Sequence, residues 1–200
     1  MLSLRIGRRA ALAATAVIVM SASSVTATAQ TSSFGPLDWL FNPAPAGTET
    51  AQTVSFPSTI APGQIVASFA DRRLYYVYDR GWAISYPIAT PRRQSRWQGV
   101  MRISRKKVNP TWTPTASMRA ENPRLPAFVP GGHPKNPLGK RALYLGSSLY
   151  RIHGTDAPWT IGQPVSKGCI RMHNQDVADL YRRVRIGTKV TVTWKSYTYG

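Results

Sequence analysis

Residues 64–88 read QIVASFADRRLYYVYDRGWAISYPI and carry the strongest fold signal in the chain. The segments QIVASF, RLYYVY and WAISYPI are rich in β-branched and aromatic residues, which are typical of strands. Asp79-Arg80-Gly81 separates the last two segments, and such a short turn joins the strands of a β-hairpin. This stretch therefore predicts the start of a mainly β domain.

Further strands are predicted downstream in the segments WQGVMRISR, ALYLG, SLYRIH and KVTVTW, with ALYLG and SLYRIH paired. Between the first and second of these, residues 109–136 look like loop and contain six prolines. A connection of that length inside a compact domain usually has a function.

One segment near the C-terminus is predicted to be helical. Asn174 is a candidate N-cap, and Gly187 is expected to end the helix. Between them, apolar residues recur at helical spacing and form a single stripe: Val177, Leu180, Tyr181 and Val184. We expect this helix to pack on the sheet.

The 200-residue chain has 26 Lys and Arg against 8 Asp and Glu, a formal net charge of +18. Such an excess suggests a polyanionic partner, and nucleic acid is the usual one. The sequence has no RNP-like pattern, zinc-finger spacing or basic helix, so nucleic acid is not favoured. The hydrophobic content of 42% excludes a wholly disordered polycation.

Residues 1–29 have the three parts of a secretory signal peptide. They are the basic segment 1–10, the apolar run 11–20 and an A-x-A site at residues 27–29. The apolar run is about half as long as a membrane span, so an uncleaved membrane anchor is the alternative. Export predicts a periplasmic or cell-envelope protein, whose anionic partners are lipid headgroups and cell-wall carboxylates.

Residues 30–62 are rich in Pro, Ser and Thr and show no persistent period, which is typical of a linker. The pattern changes near Gln64, so residues 63–200 are predicted to form the folded domain.

Cys169 is the only cysteine, which excludes an intramolecular disulfide. It lies in residues 166–172, SKGCIRM, between Lys167 and Arg171, and two cations would favour its thiolate. The other interpretations of a lone cysteine are a small buried apolar residue and an intermolecular disulfide.

Two neighbours make a nucleophilic thiol the favoured interpretation. Gly168 permits a tight bend that would aim backbone N–H groups at an oxyanion. His153 lies sixteen residues before Cys169, at the end of a predicted strand. A thiol nucleophile needs a base within hydrogen-bond reach, and this imidazole is suited to that task.

These motifs together resemble the L,D-transpeptidase catalytic domain family (the YkuD-like, ErfK/YbiS group). The resemblance covers about residues 64–194 and rests on H-G-T at 153–155, I-G at 161–162, S-x-G-C-I-R-M at 166–172, D-V-x-x-L-Y at 176–181 and G-T-x-V at 187–190. It implies a β-sandwich or mixed sheet with one packed helix near the C-terminus. It also implies a catalytic domain that cross-links peptidoglycan.

The resemblance implies a role for each residue of the motifs. Cys169 would be the nucleophile, acylated by a tetrapeptide stem with loss of the terminal D-amino acid, and His153 the general base and acid. The oxyanion hole and its loop would involve Gly168 and Ser166, and positioning would involve Arg171, Gly154 and Thr155. A backbone carbonyl is expected to hold the imidazole of His153 in one orientation. Lys167 departs from the family pattern, because many members have His at this position.

The acceptor of the acyl group stays open at this point. An amine of diaminopimelate or of an envelope protein would make a transpeptidase, and water would make an L,D-carboxypeptidase. A non-catalytic cationic wall-binding module is the alternative from a different class.

No cofactor or metal is implied, because the spacing of the histidines and Cys169 matches no common zinc pattern. His133 and His173 are expected to be exposed loop residues. Trp112 and Trp159 are expected to line the peptide groove. Three tyrosines at strand spacing are predicted to belong to the core and the sheet surface: Tyr75, Tyr76 and Tyr78.

Overall fold

The computed structural model describes residues 50–198, so the predicted signal peptide, residues 1–29, lies outside the described residues. The strands in this range are β1 (Gln52–Ser55), β2 (Ile65–Ser68), β3 (Arg73–Asp79), β4 (Trp82–Pro87), β5 (Thr90–Pro91), β6 (Gly99–Val108), β7 (Arg141–Leu145), β8 (Arg151–His153), β9 (Pro164–Ser166), β10 (Ile170–Arg171) and β11 (Lys189–Thr193). The helices are α1 (Ala116–Glu121) and α2 (Asn174–Arg183). Single 3-10 turns lie at Arg93–Ser95 and Pro158–Thr160.

Nine strands form one mixed sheet in the order β1-β4-β3-β2-β11-β6-β7-β8-β10, and β5 pairs with β9. The long strand β6 belongs to both halves of this sheet. Its residues 99–102 pair with β11 and its residues 103–108 with β7. The register shifts between Ile103 and Arg105, and such a bulge bends a strand, so the sheet turns at this point.

Both halves of the sheet contribute to one apolar core. Leu74 and Tyr86 enter it from the first half, and Leu143 and Ile152 from the second, all fully buried. Helix α2 packs on β7 and β8 and adds Leu180 to the same core. The mainly β fold with one helix packed near the C-terminus is therefore confirmed.

The apolar stripe predicted for α2 is also confirmed, since Val177 and Leu180 are fully buried. The helix limits differ from the prediction. His173 is the cap residue, because the Asn174 side chain bonds loop backbone instead, and α2 ends at Arg183, before Gly187. Lys106 on β6 donates to the carbonyls of residues 181 and 184, which are otherwise unpaired at a helix C-terminus.

Two segments are more ordered than their composition predicts. Strand β1 lies within the predicted linker, pairs with the edge strand β4, and is followed by Phe56, which is buried against Tyr75 with ring centroids 4.8 Å apart. Its side chains are mostly exposed on both faces, so no alternating pattern marks it. Helix α1 lies within the predicted loop, capped by the Thr115 hydroxyl.

Among residues 50–198, no helix is both long and apolar enough to cross a membrane.

Replacing Leu180 by Ala is expected to lower the free energy of unfolding by about 2–5 kcal/mol, because the change leaves a cavity between α2 and the sheet. Ile186→Ala is the matched control, since Ile186 has the same number of carbons but is 66% exposed. That change should cost less than about 0.5 kcal/mol. Urea unfolding followed by tryptophan fluorescence measures both values, and equal losses would contradict the packing of α2.

Candidate active site

The site is built on the parallel pairing of β8 with β10. Ile152 lies opposite Ile170, and His153 opposite Arg171. Successive side chains of a strand point to opposite faces of the sheet. Ile152 and Ile170 are fully buried in the core, so the residues before and after them face the other way.

That other face carries four polar side chains at the floor of one cavity of about 420 Å³: Arg151, His153, Cys169 and Arg171. The register places Cys169 beside Arg151, one step before the paired residues. Cys169 and His153 are therefore diagonal neighbours on adjacent strands, at opposite corners of this group. The pairing brings together the two residues that the sequence predicts as nucleophile and base.

The imidazole of His153 is held in one tautomer. Its Nδ1 lies 2.5 Å from the Gly154 carbonyl oxygen, and since a carbonyl only accepts, Nδ1 carries the hydrogen and Nε2 a lone pair. This confirms the expected backbone carbonyl. Burial, followed by the positive charges of Arg171 and Arg151, lowers the pKa of His153 to about 3. The ring is therefore a neutral base at pH 7.

The Cys169 thiol is also neutral at rest. Burial raises its pKa, although the backbone N–H and guanidinium of Arg151, together with Arg171, favour the thiolate. The thiol donates to the Leu149 carbonyl at 3.7 Å. Arg171 favours the thiolate as expected, but desolvation outweighs the nearby charges, and Lys167 pairs with Glu121 instead.

Lys167 forms an ion pair with Glu121 at the end of α1. The contact links the nucleophile loop to the segment that covers the cavity.

The loop before Cys169 is shaped by an aromatic pair. Gly168 has φ +122°, a conformation that other L residues rarely adopt, and a Cβ there would lie 2.5 Å from a ring carbon of Tyr150. Trp97 stacks on Tyr150 with ring centroids 4.4 Å apart, and its indole N–H donates to the Gly168 carbonyl at 2.8 Å. Ser166 donates its hydroxyl to the Cys169 carbonyl.

The loop after His153 is braced by Asn174. Its side-chain oxygen accepts from the Lys140 N–H at 3.0 Å, and its amide donates to the Thr155 carbonyl at 2.7 Å. A Cβ at Gly154 would lie 2.2 Å from that same side-chain oxygen, so the base loop needs glycine at this position. The Thr155 hydroxyl in turn accepts from the backbone N–H of residue 157.

The long segment between β6 and β7 covers the cavity. It contributes six of the lining residues: Trp112, Thr115, Ser117, Met118, Pro137 and Leu138. Among the described residues that line the cavity, three are cations and none is Asp or Glu. Such a cavity suits an anionic ligand with apolar parts.

Three predictions about aromatic and histidine residues can be compared with the structure. Trp112 lines the cavity as predicted, whereas Trp159 is 64% exposed and does not line it. His133 is exposed as predicted, but His173 is buried at the start of α2, so its prediction as an exposed residue is wrong. The Tyr75, Tyr76 and Tyr78 prediction is confirmed, since they run from buried to exposed along β3.

Sequence reasoning missed Arg151, Tyr150, Trp97 and Asn174. A signal for Arg151 was available, because it lies two residues before His153 on a predicted strand and so shares its face. No local pattern marks Trp97, which reaches Gly168 across 71 residues of chain.

No group of three or more His, Cys, Asp or Glu side chains within residues 50–198 is arranged to hold a metal ion.

The fold is a mixed β-sheet with one packed helix, and a thiol and a neutral imidazole lie at the floor of its cavity. The family model YkuD, described as the L,D-transpeptidase catalytic domain, matches residues 62–192. The chain belongs to this family.

Individual relatives agree with this assignment. The Escherichia coli K12 protein named "Probable L,D-transpeptidase YbiS" is 44% identical over 147 residues, covering 70% of this chain and 47% of that protein. The chain spans about half the length of the curated relatives it matches.

Solved structures give the same fold. A Brucella melitensis protein titled "Probable carnitine operon oxidoreductase caia" has 42% identity and a TM-score of 0.50, covering 73% of this chain and 94% of that one. An Enterococcus faecium L,D-transpeptidase has 18% identity and a TM-score of 0.51, covering 67% and 50%, so it shows likeness of fold alone.

Alkylation of Cys169 by iodoacetamide is expected to be slow at pH 6–7 and to rise about tenfold per pH unit up to pH 8.5. Burial holds the thiol pKa above its ordinary value, and only the thiolate reacts. His153 stays neutral over this range because its pKa is about 3. Mass spectrometry gives the rate at each pH, and a rate that levels off below pH 7 would contradict a neutral resting thiol.

Gly168→Ala is expected to slow this alkylation by at least about tenfold at pH 8, because the new methyl group displaces the nucleophile loop from Tyr150. Gly162→Ala is the control, since Gly162 also has a positive φ, +84°, but no atom lies within 4 Å of a Cβ built there. The control should cost only the backbone strain, about 1–2 kcal/mol, and leave alkylation nearly unchanged. Equal slowing in both variants would contradict the role of the Tyr150 contact.

Proposed function

We propose that this protein is a peptidoglycan L,D-transpeptidase that acts through an acyl-enzyme on Cys169. The observation that carries the proposal is the pairing of β8 with β10, which sets a thiol and a neutral imidazole diagonally on one cationic cavity floor. A thiol beside a neutral base is suited to acyl transfer. Membership of the L,D-transpeptidase family supports the choice of stem peptides as substrates.

In the first half of the reaction, Nε2 of His153 accepts the thiol proton as the Cys169 sulfur attacks a peptide carbonyl carbon. That carbonyl joins the L-centre and D-centre residues of a tetrapeptide stem. The C–O π electrons move to oxygen, and the resulting oxyanion needs hydrogen-bond donors already in place. The backbone N–H groups of residues 168 and 169 are the proposed donors, and the Gly168 N–H, which donates to the Ser166 hydroxyl at 3.4 Å in the resting site, exchanges that partner for the oxyanion.

The tetrahedral intermediate then collapses with cleavage of the C–N bond. The imidazolium returns its proton to the leaving nitrogen, the terminal D-amino acid departs, and a thioester remains on Cys169. Arg171 favours the thiolate during the attack. Burial and Arg171 also lower the pKa of His153, which favours proton transfer from the imidazolium to the leaving amine during the collapse.

In the second half, an acceptor amine attacks the thioester while His153 takes one of its protons. Collapse of the second intermediate expels the Cys169 thiolate, which recovers that proton from His153. The side-chain amine of diaminopimelate on a neighbouring stem gives a cross-link, and an amine on an envelope protein gives a wall-anchored protein. Water in the same position gives hydrolysis.

The proposed location is the periplasm or cell envelope, reached through residues 1–29 as a signal peptide. Removal of residues 1–29, which hold three arginines and no acid, leaves a net charge of +15, and this supports the proposal because an excess of cations holds a protein near anionic cell-wall polymers and lipid headgroups. The oxidoreductase name of the Brucella relative describes that protein. The proposal for this chain rests on its own thiol and imidazole, which suit acyl transfer.

The protein is expected to convert disaccharide tetrapeptides into cross-linked dimers with release of the terminal D-amino acid, as measured by mass spectrometry. Cys169→Ala should abolish the reaction. His153→Gln should slow it by about 10²–10⁴-fold, the usual contribution of a general base. His133→Gln is the matched control and should react at the normal rate, because His133 is exposed on a loop outside the cavity.

The products separate the remaining alternatives. Tripeptides without dimers would replace transpeptidation by an L,D-carboxypeptidase activity. If neither the unaltered protein nor Cys169→Ala changes the substrate, while both are folded by circular dichroism, the enzymatic proposal is wrong and a wall-binding module takes its place.

A further inference from the structure

A row of aromatic and cationic side chains crosses the sheet and ends at the nucleophile. Arg105 on β6 lies opposite Tyr144 on β7, and Tyr144 lies opposite Arg151 on β8. The β8–β10 register then places Arg151 beside Cys169. The Arg105 and Arg151 guanidinium carbons lie 4.0 and 5.1 Å from the centre of the Tyr144 ring, so one ring holds both cations by cation–π attraction.

The Arg151 guanidinium is fixed in position but has spare hydrogen-bonding capacity. Its Nε is buried and has no hydrogen-bond partner within residues 50–198. No ion pair of the described residues includes Arg151, and no acidic residue is among those that line the cavity. The Nε of Arg171 is also buried without a partner among the described residues, but the carboxylate of Asp156 lies near enough to stabilise the charge of Arg171. Arg151 is thus the cation of the cavity floor that has no acidic neighbour among the described residues, so it is available to bind an anionic ligand.

We propose that Arg151 binds the terminal carboxylate of the acyl-donor peptide and is the residue that selects peptides ending one residue after the cleaved bond. This inference rests on the proposed transpeptidase function. A guanidinium presents a planar fork of donors that matches the two oxygens of a carboxylate. The strand register places that fork beside the reacting bond, because Arg151 lies next to Cys169 and both residues line the cavity.

The distance from the cleaved bond decides which carboxylate is bound. The carbon of the terminal carboxylate lies three bonds from the carbonyl carbon under attack, within about 4 Å. The distal carboxylate of diaminopimelate lies at the far end of a long side chain on the other side of that carbonyl. Because Arg151 faces the sulfur itself, only the terminal carboxylate is near enough.

This arrangement explains selection by chain length. A peptide with one more residue would place a neutral amide where the carboxylate belongs. The guanidinium would then be desolvated without an anion, which is unfavourable. A peptide with a C-terminal amide would be disfavoured for the same reason.

A pair of small alkylating reagents tests the carboxylate site without any peptide. Iodoacetate and iodoacetamide differ only in the carboxylate. In both reactions the Cys169 sulfur forms a bond to the CH₂ carbon, iodide leaves with the electron pair of the C–I bond, and the thiol proton passes to the solvent. Any change in the thiolate fraction affects both rates equally, so the ratio of the two rates reports how the cavity responds to the carboxylate, and Arg171→Met shows how much of that response is general charge attraction.

Arg151→Met is expected to lower the iodoacetate-to-iodoacetamide rate ratio by about tenfold, the effect of losing one hydrogen-bonded charge pair. Arg151→Lys keeps the charge and should retain part of the ratio. Arg141→Met is the matched control, since Arg141 also lies over a tyrosine ring, 5.6 Å from that of Tyr181, but outside the cavity. An unchanged ratio in Arg151→Met, or a loss only in Arg171→Met, would overturn the assignment.

A second measurement uses three disaccharide tetrapeptides: the free acid, the C-terminal amide, and the free acid with an amidated diaminopimelate. The unaltered protein should release the terminal residue from the first and third at least about tenfold faster than from the second, and Arg151→Met should lose this preference. Equal rates on the acid and the C-terminal amide would overturn the carboxylate site while the transpeptidase function stands. A slow third peptide would assign Arg151 to the distal carboxylate instead, and no reaction with any of them would overturn both proposals.

Discussion

Strands β8 and β10 run parallel and share only two pairs of opposed residues, yet this short pairing determines the whole site. Ile152 and Ile170 are buried in the core, and their burial fixes the register, because a slip of one residue would turn them to the cavity and the polar residues to the core. His153 and the thiol of Cys169 consequently meet on one face. Packing in the core therefore sets the relative position of His153 and Cys169 on the opposite face of the sheet.

Burial also sets the charges of that face. The cavity floor removes water from both the thiol and the imidazole, so both are neutral at rest, although Arg151 and Arg171 lie beside them. The same cations then stabilise the thiolate when it forms and disfavour the imidazolium. The imidazolium form of His153 is therefore short-lived in each half of the reaction. Lys167 pairs with Glu121 and Asp156 lies near Arg171, so among the described cations of the cavity Arg151 is the one without an acidic neighbour.

The loops that carry the reacting groups are held by residues far away in the sequence. Trp97 and Tyr150 fix the turn at Gly168, and Asn174 fixes the loop after His153. None of these contacts follows from spacing or propensity, since each joins separate elements. The same holds for Lys167, whose ion pair with Glu121 depends on how the covering segment folds. The position of Lys167 next to the nucleophile loop in the sequence therefore did not predict where its side chain lies.

Periodicity and residue type are enough to predict the main strand segments, the amphipathic stripe of α2 and the choice of Cys169 and His153 as candidate site residues. The prediction failed at β1, where most side chains are exposed, and at the start of α2, where Asn174 bonds a loop rather than its helix. The neutral state of the thiol, and the position of Arg151 rather than Lys167 beside it, could not be predicted without the packed structure. The reason is physical: pKa values and charge contacts depend on burial and distance, and both arise when separate strands pack together.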